Sequence, residues 1–389
     1  MDHVLTARTK RTPRRLVSTA IVAIAAVGML AGCSGGGGGA TAPTNPIAEG
    51  EFPDYYPADY QDIIDASKEE SGELTIYSNT DQENWAPIFR DFQKKYPWVK
   101  KINANNLDSD EVFQRQLSES ATGSSTADLL VSNAAQAWAE FAEDPSVLLE
   151  YASPELPELP EFAQLLPNVY SMSTDPMTIA YNTALMDEAP TGIASLAEIV
   201  AADPEKYADK ITTRDINGAF GFTVSYVFTQ AREESWSDLE QILPLARPET
   251  SSGTQGEKIL AGEYLAGFFI SAAPAYPIVD SSNGIFQVVF PEDGTVVLPR
   301  GIGITPDAPN VNTAKLFVDF VLSEEGQAAV AEGGLTSYRD SVKAAEGLHT
   351  YQEVVDAVGE DNVIFANYEL VPDADVQEFI GRWDGLLGQ

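Results

Sequence analysis

The sequence predicts an α/β protein of two lobes. Short apolar strands alternate with amphipathic helices from Glu73 onward, the pattern of parallel β-α-β units. Past an N-terminal leader and linker, roughly 330 residues remain, more than a single hydrophobic core usually organises. Hydrophobic residues make up 44% of the chain, an ordinary globular share, and no run beyond the leader is long and apolar enough to span a bilayer.

Residues 1–32 read as a signal peptide. Arg8, Lys10, Arg11, Arg14 and Arg15 form a basic head, Leu16 to Leu30 is mostly apolar, and Ala31-Gly32 are small. The chain's one cysteine, Cys33, follows at once. A lone cysteine excludes an intramolecular disulfide and a thiolate metal cluster. A catalytic thiol needs an activating base, and the histidines are only His3 and His349. The order Leu30-Ala31-Gly32-Cys33 resembles the bacterial lipoprotein lipobox, which implies cleavage before Cys33 and lipid attachment there. An ordinary secretory signal is the alternative, and Arg14-Arg15 raises twin-arginine export, which its flanks fit poorly. Residues 33–70 are expected as a flexible tether. Gly35 to Gly39 carry no side chains to pack, and Thr41 to Pro57 is rich in Pro, Thr, Ala and acids without periodicity. The protein is therefore expected to be exported and lipid-anchored to the outer face of the cell membrane, or to face a periplasm.

Charge narrows the partners. The 59 acidic residues outnumber 23 Lys and Arg, for a formal net charge of −36. Such a surface repels nucleic acid and anionic lipid. The acidity reads as solubility, and no Asp-x-Asp-x-Asp-Gly loop points to calcium.

Element by element, Glu73 to Tyr77 is the first core strand, broken at Ser78-Asn79-Thr80. Trp85, Ile88, Phe89 and Phe92 have helical spacing, and Pro97 stops that helix. Val99 to Asn103 reads as a strand, Asp108 to Ser118 as a helix with Val112, Phe113 and Leu117 on one face. Ala127 to Val131 is a buried strand that breaks at Ser132-Asn133, before a helix carrying Trp138 and Phe141. Leu156 to Pro167 is proline-punctuated surface. Met177 to Asn182 is a strand, Ser195 to Ala202 a helix, Lys210 to Thr213 a short strand. Phe220 to Arg232 and Trp236 to Leu245 read as helices, Ser251-Ser252-Gly253 opens another to Leu260, and Leu265 to Ile270 is a strand. Phe286 to Phe290 and Thr295 to Ile304 are extended around a turn at Pro291 to Gly294. Val311 to Leu322 is a helix with Ala314, Phe317, Val318 and Val321 on one side, and Gln327 to Glu332 a shorter one. Tyr351 to Val358 and Asp375 to Leu386 are helical.

Ligands of open α/β sheets bind beyond the carboxyl ends of the strands. Ser78-Asn79-Thr80 and Ser132-Asn133 sit at such ends and open helices, where free N–H groups favour anionic or polar ligands. The same residues are also ordinary helix N-caps.

The segments "LTIYSNTDQE", "ADLLVSN", "MTIAYNTALM", "GEKILAGEY", "VVFPEDGTVVLPRGIGITPDAPN" and "AKLFVDFVLSEEGQAAVAEGG", in this order from Gly72 to Arg339, resemble the extracellular solute-binding proteins of bacterial ABC importers, in the class related to ferric-iron binders. The resemblance implies a two-lobed periplasmic-binding-protein-like fold of type 2, with hinge crossovers near Ile179–Tyr181 and Gly294–Val297. It places lobe one at 71–179 and 295–345 and lobe two at 182–290; residues 346–389, which the resemblance matches weakly, are expected as a C-terminal helical segment. It implies a monomer that holds a small molecule or ion, delivers it to ABC permease subunits, and needs no cofactor.

Two ligand classes stay open. Iron-binding relatives hold ferric ion with a tyrosine pair just after the strand matching Leu265–Ile270. Here that stretch is Ser271-Ala272-Ala273-Pro274-Ala275-Tyr276, and the pair is absent, as is the histidine near the first strand of some relatives. Tyr276, Tyr77 and Tyr264 remain as phenolate candidates. For a small organic anion such as an organophosphate or phosphonate, the candidates are Tyr77, Ser78, Asn79, Thr80, Ser132 and Asn133 from lobe one. From lobe two come Thr212, Thr213, Ser251, Ser252, Gly253 and Ser271. Arg214, Arg247 and Arg300 are the nearest basic residues; arginine suits bidentate capture of an oxyanion, although a surface ion pair is the more ordinary reading of each. An enzyme finds no support: no Gly-x-Ser-x-Gly elbow, phosphate-binding loop or His-Glu-x-x-His is present. A structural surface lipoprotein is the remaining alternative.

Overall fold

The computed structural model describes residues 52–342 and 348–388; the leader, Cys33 and the glycine tract lie outside them. The chain runs α1 (Tyr60–Lys68), β1 (Glu73–Ser78), α2 (Gln82–Lys95), β2 (Lys101–Asn106), α3 (Glu111–Ala121), β3 (Leu129–Ser132) and α4 (Ala135–Phe141). Short 3-10 turns in a proline-rich stretch lead to β4 (Gln164–Leu166) and the long β5 (Val169–Asn182). Next come α5 (Ile193–Ala202), α6 (Pro204–Tyr207), β6 (Ile211–Arg214), α7 (Ala219–Ala231), α8 (Trp236–Ile242), β7 (Ala246–Glu249), α9 (Ser252–Leu260), β8 (Ala266–Ser271), α10 (Ala272–Ser281) and β9 (Phe286–Val289). The chain returns through β10 (Thr295–Ile304), α11 (Val311–Leu322), α12 (Glu324–Glu332), α13 (Tyr351–Val358), β11 (Val363–Phe365) and α14 (Asp373–Leu387).

Pairing divides the strands into two groups. β2, β1 and β3 are parallel, β10 lies antiparallel beside β3, and β11 pairs with the start of β10. In the other group β8, β6 and β7 are parallel. β5 joins the groups: Tyr170 to Pro176 pair with β10, and from Met177 onward the partners are β8 and β9. All of β10 is buried, and all of β5 except half-buried Tyr181, the burial expected of strands at the centre of a sheet.

Two bulges aim side chains at one place. β5 carries one extra residue opposite Arg300 and Gly301. β8 carries one extra residue against β5, and Phe269 there has a φ of 56°, a region bulky residues rarely adopt. A bulge bends its strand and redirects its neighbours. These two lie beside Arg300 and Ser271, which line the cleft described below.

Some expectations are corrected. Residues 60–68, expected in the tether, form α1; Tyr60 and Ile64 are buried, and the Tyr60 hydroxyl donates to Asp319 at 2.8 Å. The second strand starts at Lys101, because Val99 is held in a turn by the Tyr96 carbonyl. Leu117, expected on the buried face of α3, is 50% exposed; Val112, Phe113 and Gln116 are the buried residues. The two helices expected at the C-terminus are present, and α14 belongs to the core: it buries Phe379, Trp383 and Leu387, with Trp383 edge-on to Trp236 of α8 and Phe379 edge-on to Phe222 of α7.

Candidate functional site

A cleft of about 560 Å³ opens where the carboxyl ends of β1, β3, β6 and β8 meet β5 and β10. The parallel strand order makes this the expected crevice, since the loops on either side turn away into different helices.

Its floor is a closed polar network around Asp175, which is 1% exposed. The Asp175 carboxylate accepts from Arg300 Nη2 at 3.1 Å, Asn133 Nδ2 at 2.6 Å and Ser271 Oγ at 2.5 Å. Burial pushes the Asp175 carboxyl above its ordinary value, opposed by the Arg300 charge and the hydrogen bonds from Ser271 and Asn133. Arg300 Nη1 donates to Asn79 Oδ1 at 2.8 Å and to Thr80 Oγ1 at 2.9 Å. Asn79 Nδ2 continues to Asn133 Oδ1 at 2.7 Å and Ser109 Oγ at 3.0 Å. A buried charge pair is tolerated only when its remaining lone pairs and protons are also satisfied, and here all but the Arg300 Nε are.

Arg214, the last residue of β6, is different. It is 8% exposed and lies over the Phe220 ring at 4.5 Å. Its buried Nε and Nη1 have no hydrogen-bond partner among the described residues. Burial lowers its pKa to about 10, with Asp175, Asp215 and Asp108 opposing. Next to it the N-terminus of α9 brings in Ser251, Ser252 and Gly253. The first N–H groups of a helix have no intrahelical partner; Ser251 Oγ accepts the one from Thr254 at 3.0 Å, and Ser252 Oγ accepts the Ser271 N–H at 3.1 Å. Asp110, at the start of α3, reaches across and accepts the Ala219 N–H of α7 at 3.3 Å.

Of the residues singled out from sequence, the cleft is lined by Asn79, Thr80, Asn133, Ser251, Ser252, Gly253, Ser271, Arg300 and Arg214. Others lie elsewhere. Ser78 and Ser132 close local turns, accepting from the N–H of Thr80 and Ala134. Thr212 and Thr213 are buried within β6. Tyr77 donates to Glu119, and Arg247 pairs with exposed Asp209. The tyrosines offer no phenolate set. Tyr264 donates to Glu249 at 2.6 Å with its pKa raised to about 12, first by burial. Tyr276 is buried against the His349 ring, and burial pushes its phenol up as well. Among the described residues, no cluster of three or more His, Cys, Asp or Glu is placed to hold a metal ion.

The structure adds cleft residues that the sequence reading missed: Asp175, Asp81, Asn84, Asp215, Asn217 and the Asp108-Ser109-Asp110 run. Asp175 had a weak signal, standing after Ser171, Ser173 and Thr174 and just ahead of the apolar run from Met177; a carboxylate buried in a strand demands a partner. The acidic run after β2 is another strand-end loop of the kind already read as a ligand edge.

Comparison with known proteins agrees with this architecture. The family described as bacterial extracellular solute-binding protein matches residues 87–355. Iron uptake protein A1 of Synechocystis is 27% identical over 297 residues, covering 68% of this chain and 74% of that protein. Among solved structures, the substrate-binding protein of an ABC transporter from Agrobacterium tumefaciens superposes with a TM-score of 0.72 at 19% identity, over 81% of this chain and 94% of that one. AfuA from Actinobacillus pleuropneumoniae, solved with fructose-6-phosphate, gives 0.62 at 20% identity, over 82% and 99%. Iron-bound HitA from Pseudomonas aeruginosa gives 0.61 at 18%, over 81% and 99%. These share the two-lobed periplasmic binding fold, and the family holds solutes without transforming them. The chain belongs to the bacterial extracellular solute-binding protein family.

Proposed function

We propose that this protein is the substrate-binding component of an ABC importer and that it captures a small organic anion. One observation carries the ligand class: the Arg214 guanidinium is buried in the cleft with Nε and Nη1 unpartnered. A cation taken out of water without a partner is costly, and a bound oxyanion supplies the missing acceptors. The adjoining N-terminus of α9 favours the same charge. The AfuA structure holds a sugar phosphate, Iron uptake protein A1 is named for iron, and HitA was solved iron-bound. Ferric ion fits this cleft less well, because neither Tyr77, Tyr264 nor Tyr276 lines it.

Capture works by hinge closure, with the lobes near 71–179 plus 295–345 and 182–290 and the crossovers in β5 and β10. Contacts to both lobes let the ligand bias closure. The closed form delivers its cargo to the permease. Cys33 carries the lipid that anchors the chain outside the cell membrane, and Cys33→Ser is expected to move the protein from the membrane to the soluble fraction.

The test is thermal unfolding of the full chain against ferric salts, phosphate, organophosphates, phosphonates and small carboxylates. A specific ligand at a hundredfold excess over its Kd stabilises by about 2.7 kcal/mol. A shift with an organic anion, lost in Arg214→Ala, is expected. A shift with ferric ion alone, with phenolate–iron absorbance, overturns the anion reading.

A further inference from the structure

We infer that the solute carries a cationic group as well as its anionic one: the cleft is built for a short zwitterion, with a phosphonate or carboxylate on Arg214 and an ammonium on the Asp108–Asp110 edge. This rests on the anion reading above and names its substrate class.

Charge balance is the first argument. The cleft is lined by Asp81, Asp108, Asp110, Asp175 and Asp215 against Arg214 and Arg300. The Arg300 charge is already met by Asp175 at 3.1 Å. That leaves one unmet cation facing four carboxylates. A simple anion entering here gains Arg214 and meets repulsion from the acids around it. A simple cation gains the acids and leaves Arg214 buried and unpartnered. A zwitterion satisfies both edges at once.

The remaining acceptors support the same assignment. Asp81 takes the Asn106 side-chain amide at 3.0 Å, and Asp215 takes the Asn217 N–H and amide, both at 2.9 Å. Asp110 takes only the Ala219 N–H, at 3.3 Å, and the Asp108 carboxylate has no hydrogen-bond partner among the described residues. An ammonium brings three donors to such acceptors.

Geometry sets the length. Asp110 bonds Ala219 at the start of α7, and Arg214 lies over Phe220, the next residue. The cationic and anionic subsites therefore share one corner of the cleft, at successive residues of α7, which calls for a short solute. Apolar lining is confined to Leu107, Ala219, Phe220, Ala273 and Pro274, which leaves little to hold a bulky apolar side chain.

Isothermal titration of the full chain with matched pairs tests this: propylphosphonate against 3-aminopropylphosphonate, butyrate against 4-aminobutyrate, and propylamine alone. We expect the amino member of a pair to bind at least tenfold tighter than its partner. Arg214→Ala loses both members. Asp108→Asn and Asp110→Asn, two separate variants in case one perturbs folding, narrow the preference to under threefold while propylphosphonate still binds. Equal affinity within both pairs, or tighter binding of the plain anion, overturns the inference and leaves the anion reading standing. Propylamine binding as tightly as 3-aminopropylphosphonate overturns both, as does failure of every phosphonate and carboxylate to bind.

Discussion

Replacing Arg214 with methionine tests whether this residue is kept for binding at the expense of folding. Its side chain is buried, and burial lowers the guanidinium pKa from 12.5 to about 10. At 1.36 kcal/mol per pH unit, holding that charge inside costs about 3 kcal/mol. The pKa is lower in the native state than in the unfolded chain, so at pH 7 the group is charged in both. The cost is fully present at neutral pH and is relieved only as pH rises through about 10. Methionine keeps an unbranched stem over Phe220 and gives up the cation–π contact, about 1 kcal/mol. Ligand-free Arg214→Met is therefore expected to be more stable than the natural protein by about 2 kcal/mol. Urea unfolding at pH 7 measures this, and titration with the best anion from the panel should show binding lost. A variant less stable by about 1 kcal/mol or more would mean that the guanidinium has a structural partner in the native state. The case for a waiting anion subsite would then fall.

Three further outcomes follow from the same geometry. Asp175→Ala strips the counter-charge from Arg300 and orphans Asn133 and Ser271, so a loss of about 3–5 kcal/mol is expected; Asp175→Leu with Arg300→Met should recover most of it, and equal loss in both variants refutes the pairing. Asp319 is pushed up to about 7 by burial, against hydroxyl donors from Tyr60, Tyr151 and Ser153. Because that value lies above the unfolded one, its stabilisation is complete below about pH 4 and lost as pH rises through 7. Asp319→Asn should therefore lose less stability than the natural protein between pH 5 and 8 in thermal scans, and identical slopes refute it. In Gly221→Ala the new Cβ would lie 1.9 Å from the Asp215 carbonyl oxygen. The turn carrying Arg214 must shift, so a loss of about 1–3 kcal/mol and at least tenfold weaker anion binding are expected, whereas unchanged affinity by titration would show that the turn yields without moving Arg214.

Part of the site was legible because strand ends are local features. Asn79, Thr80, Asn133, Ser252 and Ser271 are polar residues at the carboxyl ends of apolar strands or the starts of helices, and that is where the cleft lies. The same logic named Ser78 and Ser132, which close turns on amides two residues ahead. Residue type cannot separate a hydroxyl satisfied by its own backbone from one turned outward. Thr212 and Thr213 were singled out because β6 was ended one residue early; the tip of the strand is Arg214. Asp175 has partners 42, 96 and 125 residues away in sequence, and only the strand order β3-β10-β5-β8 brings them together. α1 falls inside the expected tether because Pro53, Pro57 and the acids around them mark a linker; yet Tyr60, Ile63, Ile64 and Ser67 have helical spacing, and the helix is held by Tyr60 against Asp319, far along the chain.

The unpartnered arginine also bears on how closure is driven. Across the cleft the Ala219 N–H to Asp110 bond ties α7 to the start of α3, and at the junction Ser271 ties β8 to Asp175. Bonds of this kind contribute about 1–3 kcal/mol each, so they hold the halves together only weakly. Against them stands whatever part of the Arg214 burial closure itself imposes, since its Nε and Nη1 are buried without an acceptor. In the closure proposed above, Arg214 would then oppose shutting the cleft until an acceptor arrives. A ligand shifts such a balance only by what it gains in one state over the other, so an oxyanion on Arg214 favours closure to the extent that it also touches the facing lobe. It follows that Arg214→Met should close without ligand. Small-angle scattering of the ligand-free variant is expected to give the compact profile that the natural protein reaches only with ligand bound. A variant that stays as extended as the ligand-free natural protein would show that Arg214 sets affinity without setting closure.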